Sequence, residues 1–178
     1  MSEISRSTLF GKLNPLAYKA VEGATVFCKL RGNPYVELVH WMQQIVQTGD
    51  SDVHRIIKHF EIDPSRLASD MTEALDRLPR GATSISDLSA HVESAVERGW
   101  VYATLMFGDT QVRTGHLVVG ILKTPSLRNA LMMVSRQFEA VKLDTLTDEF
   151  LTVVNGSPED RMVVSAGGGA ASPGETSD

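Results

Sequence analysis

Cysteine is almost missing from this chain of 178 residues, and Cys28 stands alone. One thiol cannot close an internal disulfide, which excludes a stapled secreted scaffold and fits a reducing cytoplasm. Positive charge is also short. Lys plus Arg number 17 against 22 Asp plus Glu, a formal net charge of −5. Neither a phosphate backbone nor an anionic lipid surface finds a basic face to meet, so nucleic acid and membrane are excluded as expected partners. No apolar run approaches the roughly 20 residues of a membrane helix. The opening, Met1 to Ser7, lacks the basic-then-apolar order of a secretory signal. A cytoplasmic location is the expectation.

Catalytic signatures are missing too. A phosphate-binding loop needs a glycine five residues before its Gly-Lys pair and a Ser or Thr after it. Gly11-Lys12 has Arg6 at the first position and Leu13 at the second. No H-E-x-x-H, C-x-x-C or G-x-S-x-G pattern occurs. Glu37 and His40 have the E-x-x-H spacing of di-iron bundles. A second copy of the stretch, described below, replaces Glu37 by Arg113 while keeping His116, which argues against a symmetric metal site. The two histidines are expected to bond backbone groups at helix starts. Cys28, within a helical stretch, is expected to pack as a small apolar residue. No cofactor, metal or catalytic residue is expected in this chain.

The apolar residues, 42% of the chain with 6% aromatic, are mostly Leu, Val, Ala and Met. That mix favours helices packed on helices. Asn14-Pro15, Asp63-Pro64 and Thr124-Pro125 each place a capping side chain before a proline at the first helical position. Apolar positions at Leu67, Met71, Leu75 and Leu78, and at Leu127, Leu131, Val134 and Phe138, recur at helical spacing. Asn155-Gly156 marks a helix stop. The expected fold is all-α, with eight or nine helices and no sheet.

The chain also matches itself at an offset of 76. Val36 meets Val112, His40 meets His116, Ile45 meets Ile121 and Thr48 meets Thr124. Leu67, Leu75 and Leu78 meet Leu143, Leu151 and Val154. Two copies of one helical unit, about 14–79 and 86–155, are expected. Residues 5–13 precede the first copy and suit a short extra helix capped by Ser5 or Ser7. It would show Leu9, Phe10 and Leu13 on one side. Either this helix lids the core, or its edge forms an apolar groove with Ile85 and Leu88 as the other wall. A domain over 1–160 then gives way to 161–178. There Ser165 to Asp178 has 11 of 14 residues Gly, Ala, Ser or Pro. That reads either as a flexible linker to something longer or as a plain disordered terminus.

The repeated stretch carries a resemblance. Gly108, Val112, His116, Leu117 and Val118, and again Gly32, Val36, His40, Trp41 and Met42, follow a Gly-x-x-x-Val-x-x-x-His-Leu-Leu pattern. This resembles the N-terminal domain of Clp/Hsp100 AAA+ disaggregases, a double repeat of a four-helix unit. Trp41 and Met42 depart from the two leucines. The opening Leu13-Asn14-Pro15-Leu16 is similar to the branch serving bacterial type VI secretion (ClpV, or TssH). The resemblance covers about residues 5–155. It implies a substrate-recognition module with an apolar groove beside the extra helix, taking the N-terminal helix of the contracted sheath subunit TssC (VipB) so that ATPase rings outside this chain can disassemble the sheath. Leu9, Phe10, Leu13, Leu16, Ile85 and Leu88 are the peptide-binding residues so implied. A hexamer is implied only for the full-length ATPase. A general disaggregase domain that docks adaptors or unfolded clients is the alternative.

Overall fold

The computed structural model describes residues 4–162; the expected tail from Ser165 onward lies outside them. A short α1 (Arg6–Phe10) leads into a first unit of α2 (Pro15–Arg31), α3 (Leu38–Val46), α4 (Asp52–His59) and α5 (Pro64–Asp76). The second unit has α6 (Ala90–Leu105), α7 (Thr114–Lys123), α8 (Pro125–Val134), a 3-10 turn (Arg136–Ala140), α9 (Leu143–Asp148) and α10 (Phe150–Val153). A second 3-10 turn, Pro158–Arg161, follows.

The caps set these boundaries. Ser5 rather than Ser7 caps α1, accepting from Thr8 N. Asn14 Oδ1 accepts from Ala17 N at 2.9 Å, and Asp63 accepts from Ser65 N and Arg66 N. Thr124 makes no such cap; its hydroxyl donates back to Gly120 O. Gly32 and Gly108, one offset apart, sit at φ 72° and 68° beyond α2 and α6. That left-handed turn is open to glycine at little cost.

The expectation of no sheet is corrected. β1 (Tyr35–Val36) pairs in parallel with β2 (Asp87–Leu88), and Leu13 makes a parallel bridge to Val112. The two pairings are reciprocal. The residues just before the first helix of each unit bond the segment before the second helix of the other. Two-residue strands are too short to show an alternating pattern.

The fourth helices diverge. Leu75 is buried, but its partner by offset, Leu151, is 72% exposed. Glu149 leaves helical geometry at φ −118°, ψ 31° and splits the last helix. Phe150 then turns inward, 4.6 Å from the Phe107 ring, filling the space a Cβ on Gly115 would need. α7 is the central helix, with every residue from Thr114 to Leu122 buried. Together α7 and α8 are apolar enough to be compared with a membrane span, but they bend by 112° at Thr124 and lie in the core. Among the described residues no single helix is long and apolar enough to cross a membrane.

A buried carboxylate near the end of the described residues bonds to both units. Glu159, 2% exposed, accepts from Asn14 Nδ2 (2.9 Å), Asp52 N (2.7 Å) and Thr114 N (2.7 Å), and from the Thr114 hydroxyl. It thereby serves the N-termini of α4 and α7, where backbone N–H groups lack helical partners, and holds the cap of α2. Beside it, Asp52 accepts from Arg113 Nε and Nη2, both at 2.7 Å, and from Gly115 N at 3.1 Å. Arg113 also reaches Asp160 at 2.7 Å. Burial opposes the Arg113 charge, but its bonds to Asp52 and Asp160 outweigh that and raise its pKa further.

Truncating Glu159 leaves several buried donors unpaired, so Glu159→Ala should cost about 3–5 kcal/mol. Leu131→Ala, fully buried on α8, should cost about 2–5 kcal/mol. Leu9→Ala, half-buried on α1, should cost less than half as much as either. Urea denaturation of the three variants checks this order.

Candidate functional site

The paired histidines turn out to be architectural. His40 Nδ1 accepts from Glu37 N at 2.8 Å, and its Nε2 lies 2.9 Å from Asn33 Oδ1. His116 Nδ1 accepts from Arg113 N at 3.1 Å, and its Nε2 lies 3.1 Å from Asp109 Oδ2. Asn33 and Asp109 are themselves one offset apart, so each unit repeats the placement, but only the His40–Asn33 contact meets hydrogen-bond geometry. Each imidazole closes the open first turn of its helix, as the sequence suggested. Among the described residues no group of three or more His, Cys, Asp or Glu side chains is placed to hold a metal ion. Cys28 is buried and its thiol faces Asn33 O (3.2 Å) and Tyr35 O (3.3 Å); burial pushes its pKa up.

The six candidate groove residues separate. Phe10 and Leu13 belong to the core, at 7% and 3% exposure. Leu9, Ile85 and Leu88 are half-buried against that core. Arg6 pins α1 to the second unit through Asp87 at 2.8 Å and Glu93 at 2.5 Å. The extra helix therefore lids the core at Phe10. Leu16 lies elsewhere, in an open groove of about 480 Å³ between α2 and α3.

Leu16, Ala20, Gly23 and Val26 line that groove at spacings of 4, 3 and 3 along α2. Lys19 and Glu22 also border it, and Gln44, Gln47 and Thr48 face them from the end of α3. Val26 is 59% exposed, and Leu30, one turn on, 80%. The apolar stripe is thus only partly covered by the fold. Two signals for it were in the sequence: the helical spacing of Leu16, Ala20, Gly23 and Val26, and Trp41 where the pattern expects leucine. Trp41 is buried and its Nε1 donates to Ala17 O at 3.2 Å, bracing α2 near Leu16.

A helical double repeat with reciprocal bridges, paired helix-start histidines and an open interhelical groove defines a class. Residues 12–137 match the Clp repeat (R) N-terminal domain, and the chain belongs to that family. The match begins at Lys12, after α1. Within the family, this chain is 66% identical over 178 residues to the AAA+ ATPase ClpV1 of Pseudomonas aeruginosa PAO1, covering 99% of this chain and 20% of ClpV1. The chain thus spans about a fifth of the length of that relative.

Among solved structures, one described as "Coevolution of the ATPase ClpV, the TssB-TssC Sheath and the Accessory HsiE Protein Distinguishes Two Type VI Secretion Classes" matches at a TM-score of 0.87 and 69% identity, covering 89% of this chain and 98% of that one. A complex of the ClpV N-domain with a VipB peptide matches at a TM-score of 0.76 and 20% identity, covering 89% and 97%. The second likeness shows the shared fold.

The histidine arrangement carries a pH dependence. Burial, with the nearby Arg31 charge, lowers the His40 pKa to about 4 from its ordinary value of 6.5. The folded state holds the ring neutral while the unfolded chain protonates it. Its contribution is therefore complete above pH 6.5 and is lost as pH falls from 6.5 towards 4. Urea denaturation should show about 3 kcal/mol of stability lost through this group over that window. His40→Gln should start less stable at pH 7 and lose less on acidification; equal losses in the two proteins would refute the assignment.

Proposed function

We propose that this domain is the substrate-recognition module of a type VI secretion AAA+ ATPase, and that the α2–α3 groove receives a helix of the contracted sheath subunit TssC (VipB). The observation that carries the reading is the half-open apolar stripe from Leu16 to Val26 in a groove of about 480 Å³. At 1.5 Å per residue those ten steps span roughly 15 Å, close to three turns of a partner helix. A helix lying there would place anchors at i, i+3, i+4 and i+7. Family membership, the high identity to ClpV1 and the shared fold with a ClpV N-domain bound to a VipB peptide support the same reading.

On this reading the domain is a non-catalytic binding module that needs no cofactor. ATP hydrolysis, hexamer formation and the pulling of the sheath belong to rings outside this chain, and the whole acts in the cytoplasm. Binding must offset the ordering of the peptide, so moderate affinity follows.

Fluorescence anisotropy with a labelled peptide of the sheath subunit's N-terminal helix tests the reading. Saturable binding is expected, weakened at least tenfold by Val26→Asp and by Leu16→Asp with helical circular dichroism retained. Phe10→Asp is a poor probe of the groove, because it places a charge in the core. Wild-type affinity in both groove variants would refute the groove. No binding by folded wild type would remove the sheath role and put adaptor or unfolded-client docking first.

A further inference from the structure

The two units differ where their first two helices meet, and the difference lies in the floor of the groove. The common offset pairs Gly23 with Gly99 and Gln44 with Gly120. In the second unit α6 and α7 meet backbone to backbone: a Cβ on Gly120 would stand 2.7 Å from Gly99 N. In the first unit a side chain takes that place. A Cβ on Gly23 would stand 2.6 Å from Gln44 Oε1 and 3.3 Å from its Cδ. The Gln44 amide thus lies against the α2 backbone at the middle of the apolar stripe, and the groove opens in the first unit.

That amide has two donor hydrogens and an acceptor oxygen. It is half-buried and makes no hydrogen bond to another described residue, so water serves it when the groove is empty. A helix settling into the groove strips that water away. A wholly apolar face would leave the amide unpaired and lose affinity. The charged groups lining the groove, Lys19 and Glu22, are of opposite sign and favour no strongly charged ligand.

Building on the groove reading above, we infer that Gln44 is a specificity-determining residue. The helix it selects is amphipathic, with its apolar stripe interrupted opposite Gln44 by one amide or hydroxyl side chain. Gln44 tells such a helix from an equally apolar one, and the second unit, with Gly120 at this position, has no equivalent.

The test titrates the full chain and its Gln44→Leu variant with a synthetic peptide of the sheath subunit's N-terminal helix, and with versions carrying each polar residue changed singly to Ala. Gln44→Leu, checked for a wild-type urea midpoint, should bind the parent peptide about 3- to 10-fold more weakly. At one peptide position, Ala should cost the wild type a similar factor and the variant nothing further. Should the leucine disturb packing, Gln44→Asn gives the second reading: it keeps the amide and should retain coupling to that position. Gln44→Leu binding every peptide within twofold of wild type would overturn the inference. So would peptide substitutions that cost both proteins equally. If Val26→Asp abolishes binding while Gln44→Leu leaves it intact, the groove stands and this role for Gln44 falls. If the parent peptide does not bind wild type, both fall.

Discussion

The fold depends on one buried carboxylate. Glu159 comes from a 3-10 turn of four residues near the C-terminal end of the described chain, yet it reaches α2, α4 and α7 through Asn14, Asp52 and Thr114. A charge out of water is costly unless its lone pairs are all answered. Here two helix N-termini and an asparagine amide answer them. Burial and the adjacent Asp52 carboxylate push the Glu159 pKa up, while the bonds from Thr114 and Asp52 pull it back. Arg113 neutralises Asp52 and extends the network to Asp160. The three contacts are far apart in sequence, so they form only when both units are in place. The network makes two similar halves one cooperative body.

Within that body, near-symmetry supports stability and its failures open the surface. The histidines, the left-handed glycines and the reciprocal bridges recur at the same offset in both units. At the first helix–helix contact the copies part. Trp41 stands where the second unit has Leu117, and Gln44 where it has Gly120. Both substitutions add volume between α2 and α3, where the second unit brings Gly99 and Gly120 together. One unit became tight core and the other kept a half-covered apolar stripe. The proposed recognition role uses that asymmetry.

Much of this was legible in the residues. Asn14 and Asp63 announce helix starts because capping is local chemistry, while Ser5 and Ser7 read alike and Thr124 marks a start without capping it. His40 and His116 announced the repeat, and their role followed from their place beside helix starts. The two-residue strands were hidden, because two residues carry no periodicity. The role of Glu159 was hidden because its partners lie 45 to 145 positions away, and nothing local distinguishes it from a solvated glutamate. The extra helix was legible as an element, with Leu9, Phe10 and Leu13 on one side. Which of them faces outward was not, because an apolar face reads the same whether it covers a core or lines a groove. Leu16 and Val26 needed the α3 partner to show that their stripe stays open.

In the proposed mode of recognition the sheath helix enters the first unit between α2 and α3. Backbone amide chemical shifts of the isotope-labelled domain, followed as the sheath peptide is added, test it most directly. That mode predicts the largest changes at residues 16–30 and 41–48, with the matching positions 92–106 and 117–124 nearly still. Changes concentrated instead around α1 and residues 85–93, with α2 and α3 unmoved, would contradict it.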